Sequence, residues 1–215
     1  MRKLTTLFFG LILLTSCGEN AVDSSKLVER GGVTYEVNSE TPFTGESAKY
    51  DNKKLRVKRS YRKGKLNGPS LNYYDNGRIK EKGTYKDGEK DSPWVRYHKN
   101  AQLEREGTFK DGKRDGPWVY YHDKGQLEAK GTYKDDKRDG PWVDYYYNGQ
   151  LSDKGTFIDG KRDGPWVYYH NKGQLRAKGT YKDGKRDGPW VEFHYNGTVF
   201  EKYTGTYKNG KKISG

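Results

Sequence analysis

Four histidines are the side chains whose type and spacing most readily suggest chemistry. They occupy one position of an internal repeat, at His98, His122, His170 and His194, with Tyr146 in the remaining place. If each repeat is a pair of β-strands, successive repeats advance by about 10 Å, because neighbouring strands lie roughly 4.8 Å apart. Ligands of one zinc ion each lie about 2 Å from it. We therefore predict no metal site and interpret these residues as strand-end histidines in a polar, solvated place.

Arginine–aspartate pairs are the second candidate for chemistry. They recur at positions 114 and 115, 138 and 139, 162 and 163, and 186 and 187. Catalysis needs one asymmetric pocket with perturbed groups, whereas repeats present the same residues many times. No nucleophile elbow, phosphate loop or metalloprotease motif occurs in the sequence. We interpret the pairs as charged ladders beside a turn that keep a sheet soluble, and we predict no enzyme activity, no catalytic residue and no cofactor.

Lysines form the third candidate site, in two rows at fixed repeat positions. The rows contain Lys110, Lys134 and Lys182, and Lys113, Lys137, Lys161 and Lys185. With a formal net charge of +13, such an edge could attract acidic glycans, anionic lipid headgroups or nucleic acid. Interspersed aspartate and glutamate favour the alternative, a solvated charged edge, and the absence of a base-reading fold argues against specific nucleic-acid binding.

The element that must position these residues is a repeat of 24 residues. Five tryptophans stand 24 residues apart and each follows a proline, at Trp94, Trp118, Trp142, Trp166 and Trp190. Self-similarity at this period is typical of a repeat array, in which neighbouring units cover one another's apolar faces. Hydrophobic content of 31% and charged content of 33% resemble a disordered chain, but aromatic residues in strict register favour a folded array.

Each repeat reads as an antiparallel β-hairpin. Residues 175–182 alternate apolar or small with polar side chains, as a half-buried strand does. Asp183-Gly184 supplies the two positive-φ residues of a type I′ turn, and Lys185 to His194 returns as the second strand. Glycine or proline interrupts every window that is long enough for a stable helix. We predict an all-β fold, an elongated single-layer antiparallel meander of 24-residue hairpins.

Counting outward from that turn predicts an aromatic face. Without a bulge, Gly179 would face Gly188 and Ala177 would face Trp190, although Gly188-Pro189 is itself a predicted bulge. The glycines leave room for neighbouring rings to lie over bare backbone. We predict that this face binds a partner through Tyr85, Trp94, Phe109, Trp118, Tyr133, Trp142, Phe157, Trp166, Tyr181 and Trp190.

The N-terminus has the pattern of a secretion signal. Arg2 and Lys3 precede an apolar run from Leu4 to Leu14 that is too short to span a bilayer. The following Leu-Thr-Ser-Cys-Gly resembles the lipobox of bacterial lipoproteins, which implies that Cys17 carries fatty acyl chains; the alternative is an ordinary signal peptide with a chance cysteine. Cys17 is the single cysteine, so disulfides are excluded. Gly18 resembles lipoproteins sorted to the outer membrane, while the exact membrane and leaflet stay open.

These patterns divide the chain into three parts. Residues 1–16 are the predicted lipoprotein signal peptide, residues 17–32 the acylated cysteine with a flexible tether, and residues 33–215 an array of about six or seven repeats. Removal of Arg2 and Lys3 with the signal changes the formal charge from 13 to 13 − 2 = +11. The mature protein is then a membrane-anchored lipoprotein of the bacterial cell envelope.

The repeat motif Gly-Thr-Tyr-Lys-Asp-Gly-Lys-Arg-Asp-Gly-Pro-Trp resembles MORN repeats, and more closely the MORN-variant repeat of bacterial proteins labelled as toxin–antitoxin antitoxin components. The resemblance covers roughly residues 33 to 213 and implies an elongated antiparallel sheet used for binding. The leading hypothesis is a non-catalytic, lipid-anchored envelope scaffold that binds a protein or an acidic glycan or lipid. The alternative is an antitoxin-like immunity protein that neutralises a partner toxin. The sequence names neither the partner nor the oligomeric state.

Overall fold

The computed structural model describes residues 21–215 and confirms the all-β meander. In this part of the chain β-strands follow one another, with a single turn of 3-10 helix, Ser24–Lys26, between the first two. The strands are β1 (Val22–Asp23), β2 (Leu27–Arg30), β3 (Val33–Glu36), β4 (Gly45–Asp51), β5 (Lys54–Arg62), β6 (Lys65–Tyr73), β7 (Ile79–Lys86), β8 (Glu89–Tyr97), β9 (Leu103–Lys110), β10 (Lys113–Tyr121), β11 (Leu127–Lys134), β12 (Lys137–Tyr145), β13 (Leu151–Ile158), β14 (Lys161–Tyr169), β15 (Leu175–Lys182), β16 (Lys185–Glu192), β17 (Gly205–Lys208) and β18 (Lys211–Ser214).

Strands β4 to β18 pair in chain order, so each strand is hydrogen-bonded to its neighbours in sequence. All of these pairings are antiparallel, and β1 adds to the edge of β4 in parallel. Strands β2 and β3 form a separate hairpin. A meander of this kind needs only local connections, which is why short turns suffice to build a sheet of 16 strands.

The predicted type I′ turns are confirmed. Asp183 and Gly184 have φ values of 49° and 83°, and the left-handed region at both central residues defines this turn type. The Gly184 N–H donates a hydrogen bond of 2.9 Å to the Arg162 carbonyl, in the preceding hairpin. Each turn therefore reverses the chain and also ties one repeat to the one before it.

The predicted bulge at Gly188-Pro189 is confirmed, but its size changes the register. Tyr181 pairs with Arg186, whereas Gly179 pairs with Trp190, so two extra residues lie in β16 between these rungs. Ala177 consequently faces Glu192 and not Trp190, which corrects the predicted pairing. Because the insertion is even, Tyr181 and Trp190 still share one face, as expected from strand alternation.

The N-terminal boundary differs from the prediction. Val22–Asp23 pairs with β4, and Asp23 caps the following 3-10 turn by accepting a 2.8 Å hydrogen bond from the Ser25 N–H. Thr34 of the β2–β3 hairpin donates a 2.9 Å hydrogen bond to the Gly64 carbonyl. Residues 22–30 therefore form β1, the 3-10 turn and β2, in the segment where the sequence analysis predicted a flexible tether.

The two ends of the array are atypical repeats. Near the start, Ser70 stands in place of a tryptophan and is 2% exposed, and Phe43 packs edge-on against Tyr61 at 5.5 Å. At the other end β17 and β18 form a final hairpin, after a two-residue insertion that places Phe193 opposite Val199 in an isolated bridge. Among residues 21–215, none of the helices has the length and apolar character needed to cross a membrane.

Candidate functional site

The predicted aromatic binding face is the hydrophobic core. The five tryptophans are only 1–3% exposed, and Tyr133 and Phe157 are each 7% exposed. Phe109 and Tyr181 pack against this cluster, and Tyr85 is half-buried against Trp94. Rings that are covered in this way form the core of the array, and the tryptophans offer a macromolecular partner almost no surface. The predicted binding role of these ten aromatic residues stays a prediction.

The core is continuous because Trp94, Trp118, Trp142 and Trp166 each contact an aromatic ring on either side, and Trp190 contacts two rings of the preceding strands. The rings of Tyr181 and Trp190 are 5.3 Å apart at 85°, and those of Trp166 and Tyr181 are 6.2 Å apart at 80°. Such edge-to-face arrangements are favourable for aromatic pairs. Each indole also lies over a glycine of the neighbouring strand, as predicted from the glycine positions. We call the side of the sheet that holds these rings the tryptophan face.

A row of cations covers the rings of the tryptophan face. The Arg186 guanidinium lies 4.0 Å from the centroid of the Trp190 ring, and that of Arg138 lies 4.1 Å from Trp142. Lys90 takes the same position over Trp94, at 3.8 Å. A cation over an aromatic face is attracted by the ring quadrupole. These arginines therefore belong to the core and are not members of a solvated ladder.

The aspartate of each arginine–aspartate pair has a different task. Asp163 accepts a 3.2 Å hydrogen bond from the Asp183 N–H, and Asp187 accepts one of 3.2 Å from the Asn209 N–H. Both donors lie in the type I′ turn of the next hairpin. Adjacent residues point to opposite faces of a strand, so the arginine and the aspartate of one pair cannot act together. The pairs hold the rings and the turns, and they form no acid–base couple.

The tryptophans adopt two orientations that depend on the residue two positions later. The indole N–H groups of Trp94, Trp118 and Trp166 each donate 3.1 Å hydrogen bonds to a threonine carbonyl of the adjacent strand. Trp190 donates instead to Glu192 Oε1, at 2.9 Å. Trp142 has the same ring orientation as Trp190, with Asp144 two residues later. The two tryptophans that precede an acidic residue by two positions therefore share the second ring orientation, and for Trp190 a hydrogen bond to that residue holds it.

The positions on the tryptophan face that differ between repeats form one row across the sheet. Adjacent members pair directly, strand to strand, and we call this set the variable row. It contains Asn72, Glu81, Arg96, Arg105, Tyr120, Ala129, Asp144, Asp153, Tyr168, Ala177 and Glu192. The sequence analysis missed this row because it followed the residues that repeat. The available signal was the changing residue type two positions after each tryptophan.

Burial shifts the titration of several groups in the variable row. Burial raises the pKa of the Tyr120 hydroxyl to about 12, and the hydrogen bond with Tyr133 acts in the same direction. Burial also raises the pKa of Asp144; the Trp142 indole opposes this shift, and the charge of Asp153 adds to it. Asp144 and Asp153 are direct cross-strand neighbours, and facing like charges destabilise a sheet.

A cavity of about 210 Å³ opens on the tryptophan face at β8 to β10. Its polar lining includes Lys90, Arg96, Arg105 and Arg114. Trp94 and Phe109 contribute aromatic walls. Cationic side chains beside apolar walls can hold an anion in a partly desolvated place. Two of the lining residues, Arg96 and Arg105, belong to the variable row, so this part of the sheet differs from the equivalent part of the other repeats.

The lysines at the type I′ turns are paired along the array. Lys137 Nζ lies 2.7 Å from Asp159 Oδ1, and Lys113 lies 3.5 Å from Asp135. The Lys161–Asp183 pair continues the series at 3.8 Å. Lys110, Lys134 and Lys182 stay exposed at the same edge. Three of the seven lysines of the predicted basic edge thus form a ladder of exposed ion pairs, each of which contributes about 0–1 kcal/mol.

The opposite edge contains the histidines, which join neighbouring repeats. His98 Nε2 is 2.8 Å from the Tyr121 carbonyl, and His170 Nε2 is 3.2 Å from the Phe193 carbonyl. Tyr146, at the equivalent position, donates from its hydroxyl to the Tyr169 carbonyl at 2.7 Å. The interpretation of solvated strand-end histidines is therefore corrected for His98 and His170, since their rings bridge to the next repeat.

Within residues 21–215, no three histidine, cysteine, aspartate or glutamate side chains come close enough to hold a metal ion. The Nε2 atoms of His98, His122 and His170 lie 2.8–3.4 Å from backbone carbonyls of the next repeat. Cys17, the predicted lipidation site, and the signal sequence of residues 1–16 lie outside the described residues.

Four segments of the chain match the family model described as MORN repeat variant, at residues 66–87, 114–135, 138–159 and 162–183. Each segment begins in the second strand of one hairpin and ends at the type I′ turn of the next. Among curated proteins, none matches the chain.

Among solved structures, a chain of the GtfA/B complex bound to UDP and GlcNAc aligns with 67% of this chain at 12% identity and a TM-score of 0.16. The aligned region is 21% of that protein, so this chain spans about a fifth of its length, and a likeness this weak carries no argument. The meander of hairpins makes this chain a β-repeat protein, and four of its segments are similar to the MORN repeat variant.

Proposed function

We propose that this protein is a non-catalytic, lipid-anchored scaffold of the bacterial cell envelope that binds a protein or an anionic envelope partner. The observation that supports the scaffold role most directly is the burial of the tryptophans, 1–3% exposed, between successive repeats. A repeat array of this kind satisfies its own apolar faces along its length. Its outer rows of charged and tyrosine side chains are then free to meet another molecule.

The edge that carries the histidines offers the most regular surface for a protein partner. Tyr147 and Tyr195 are 45% and 44% exposed, and they lie two repeats apart. Tyr147 packs on the His122 ring at 4.9 Å, and its hydroxyl donates to Asp123 at 2.6 Å. Exposed tyrosines that are already held in place lose little entropy on binding, which suits them to protein interfaces.

The sequence before the array supplies the proposed anchor. Each acyl methylene that enters a bilayer contributes about 0.8 kcal/mol, so several chains on Cys17 would hold the protein firmly. Strand β1 begins at Val22, five residues after Cys17. Five residues extend at most about 18 Å. The proposed anchor would therefore keep the start of the array close to the membrane surface, with the outer membrane as the expected location.

The anchor is tested with the full chain and a Cys17→Ala variant, expressed in a bacterium that processes lipoproteins. We expect the wild-type chain in the membrane fraction, with an intact mass that shows loss of residues 1–16 and gain of acyl chains. The variant should lose the acyl mass and leave the membrane fraction. A wild-type product that retains Met1 and carries no acyl group would contradict the anchor.

The binding role is tested separately by proximity labelling from the anchored protein in intact cells. The matched control is a Tyr147→Ala and Tyr195→Ala variant, which removes the two exposed rings and leaves the core intact. A partner whose labelling falls with this variant supports the proposal. A saturable hydrolytic or transferase activity that copurifies with the chain would contradict it.

The antitoxin-like alternative stays a prediction, drawn from the resemblance in sequence. It requires a partner toxin at the envelope, because a secreted chain cannot neutralise a toxin that stays in the cytosol. A strain that lacks this gene but keeps the neighbouring gene decides this point. Normal growth and viability of that strain would contradict an antitoxin role.

A further inference from the structure

One rung of the variable row places two positive charges directly opposite each other. Arg96 in β8 faces Arg105 in β9. The four equivalent rungs are not alike: Asn72 pairs with Glu81, Asp144 with Asp153, and two are neutral, Tyr120 with Ala129 and Tyr168 with Ala177. Like charges on directly facing strand positions are destabilising. The repeat fold therefore does not require the arginines, and this rung is less favourable for the array than its neutral equivalents.

Nearby acidic groups compensate this charge only in part. Arg96 is 2.9 Å from Glu104, and Arg105 reaches the same carboxylate at 3.9 Å. Lys90 pairs with Glu81 at 3.3 Å, and Arg114 pairs with Asp136 at 2.8 Å. Four cations and three carboxylates leave 4 − 3 = +1, and Arg105 has the longest of these ion contacts.

The same four cations line the 210 Å³ cavity, together with the carboxylate of Glu81, which pairs with Lys90. The four side chains are only 28–39% exposed to solvent, so their charges are partly desolvated. Trp94, Phe109 and Trp118 form apolar walls around them. The volume is below the roughly 300–1,000 Å³ of pockets for drug-sized ligands. A polymer would not fit inside it, but a single anionic group with a small ring or apolar substituent would.

We propose that this cavity is a binding site for a small organic anion, a carboxylate or phosphate monoester attached to a planar or apolar group. The Arg96 and Arg105 guanidinium groups recognise the oxyanion, because a guanidinium offers paired N–H donors that match carboxylate and phosphate oxygens. The aromatic walls contact the substituent. Binding of the anion removes the repulsion between the two arginines. The site lies between two successive hairpins, β7–β8 and β9–β10, and the proposal does not depend on the lipid anchor.

The array itself provides a variant that should fold. The double substitution Arg96→Tyr and Arg105→Ala converts this rung into the Tyr120–Ala129 pair that the next repeat already accommodates. A second double variant, Lys130→Ala and Lys154→Ala, removes two exposed positive charges in β11 and β13. It gives the same change in net charge and leaves the cavity untouched.

The experiment measures binding of phenyl phosphate and of benzoate to the full chain by isothermal titration calorimetry at constant ionic strength. Phenol is the uncharged control ligand. We expect one saturable site for at least one of the two anions, no binding of phenol, and at least tenfold weaker binding by the Arg96→Tyr, Arg105→Ala variant. The lysine variant should bind as the wild type does. The preferred anion identifies whether the site takes phosphate or carboxylate.

The urea midpoint of each variant, measured without ligand, separates loss of the site from loss of the fold. The arginine variant should unfold at the same urea concentration as the wild type or at a higher one. The proposal is overturned if neither anion binds the wild type saturably, if the arginine variant binds equally well, or if the lysine variant loses as much affinity. None of these results bears on the anchor or on the partner of the edge tyrosines.

Discussion

The indole of Trp166 lies against the backbone of Gly155, where a Cβ atom would overlap ring carbon Cδ2. We therefore predict that Gly155→Ala destabilises the array by about 1–3 kcal/mol, the usual cost of forcing extra volume into a packed core. Urea unfolding followed by tryptophan fluorescence measures the change. The neighbouring Lys154→Ala is the control, because Lys154 is exposed on the opposite face and should cost less than about 0.5 kcal/mol. Equal midpoints for the two variants would contradict this packing.

The cation over Trp142 leads to a second prediction. Arg138 lies 4.1 Å from the Trp142 ring and 5.2 Å from that of Phe157. Arg138→Met keeps an apolar stem but removes the charge, and it should cost about 0.5–2 kcal/mol. Arg138→Lys should recover most of this loss, because Lys90 already holds the equivalent place over Trp94. The free energies of unfolding of the three proteins give the result; a methionine variant as stable as the wild type would show that the charge contributes nothing.

The contact between His98 and the next repeat makes the third prediction. His98→Phe leaves the Tyr121 carbonyl without its 2.8 Å donor, which should cost about 1 kcal/mol or somewhat more. His98→Tyr should behave like the wild type, since Tyr74 and Tyr146 donate to the corresponding carbonyls at 2.7 Å. Thermal unfolding of both variants is the measurement. Equal loss in the two would mean that the hydrogen bond is unimportant and that the ring shape matters instead.

The acidic pair of the variable row makes a prediction about pH. Burial raises the folded-state pKa of Asp144 above its ordinary value of 3.8, and the facing Asp153 adds to the rise. Between the unfolded and the folded pKa the native state binds more protons, so this group lowers stability as pH rises through that window. Asp144→Asn should therefore be more stable than the wild type at neutral pH.

The difference between Asp144→Asn and the wild type should shrink as pH falls towards 3.8. Groups such as Asp136, whose pKa the Arg114 hydrogen bond lowers, titrate in both proteins and cancel from the difference. Asp153→Asn is the matched variant, because it removes one source of the shift and should also raise stability at neutral pH. Unfolding free energies across the acid range measure both. A difference that is independent of pH would contradict the assignment.

Much of the fold could be predicted because every unit carries the same local signals. Asp183-Gly184 supplies the two positive-φ residues of a type I′ turn. Pro189, which cannot donate to the ladder, located the bulge. The register beyond the bulge could not be predicted, because the number of extra residues in the bulge depends on how the Trp190 ring packs over Gly179 in the neighbouring strand β15. That packing is a tertiary property.

The candidate site was predicted less well. Tryptophans on a single-layer sheet looked available for binding, but the neighbouring repeats and the Arg186-type cations cover them, and only the three-dimensional register brings these cations over the rings. The Arg96–Arg105 rung was visible in the sequence as a departure from the repeat. That the two arginines face each other follows only from the pairing of β8 with β9, for which the sequence offered no register.

The hydrogen bond from each turn to the preceding hairpin, as from Gly184 to Arg162, has an evolutionary consequence. Deleting residues 137–160 would join residue 136, in one type I′ turn, to residue 161, which follows the next such turn. The backbone N–H groups at the new junction would then face carbonyls equivalent to those that they face now. Duplicating those residues would be equally well tolerated. Recombination within such a gene can therefore lengthen or shorten the sheet in steps of two strands, without any new fold having to evolve.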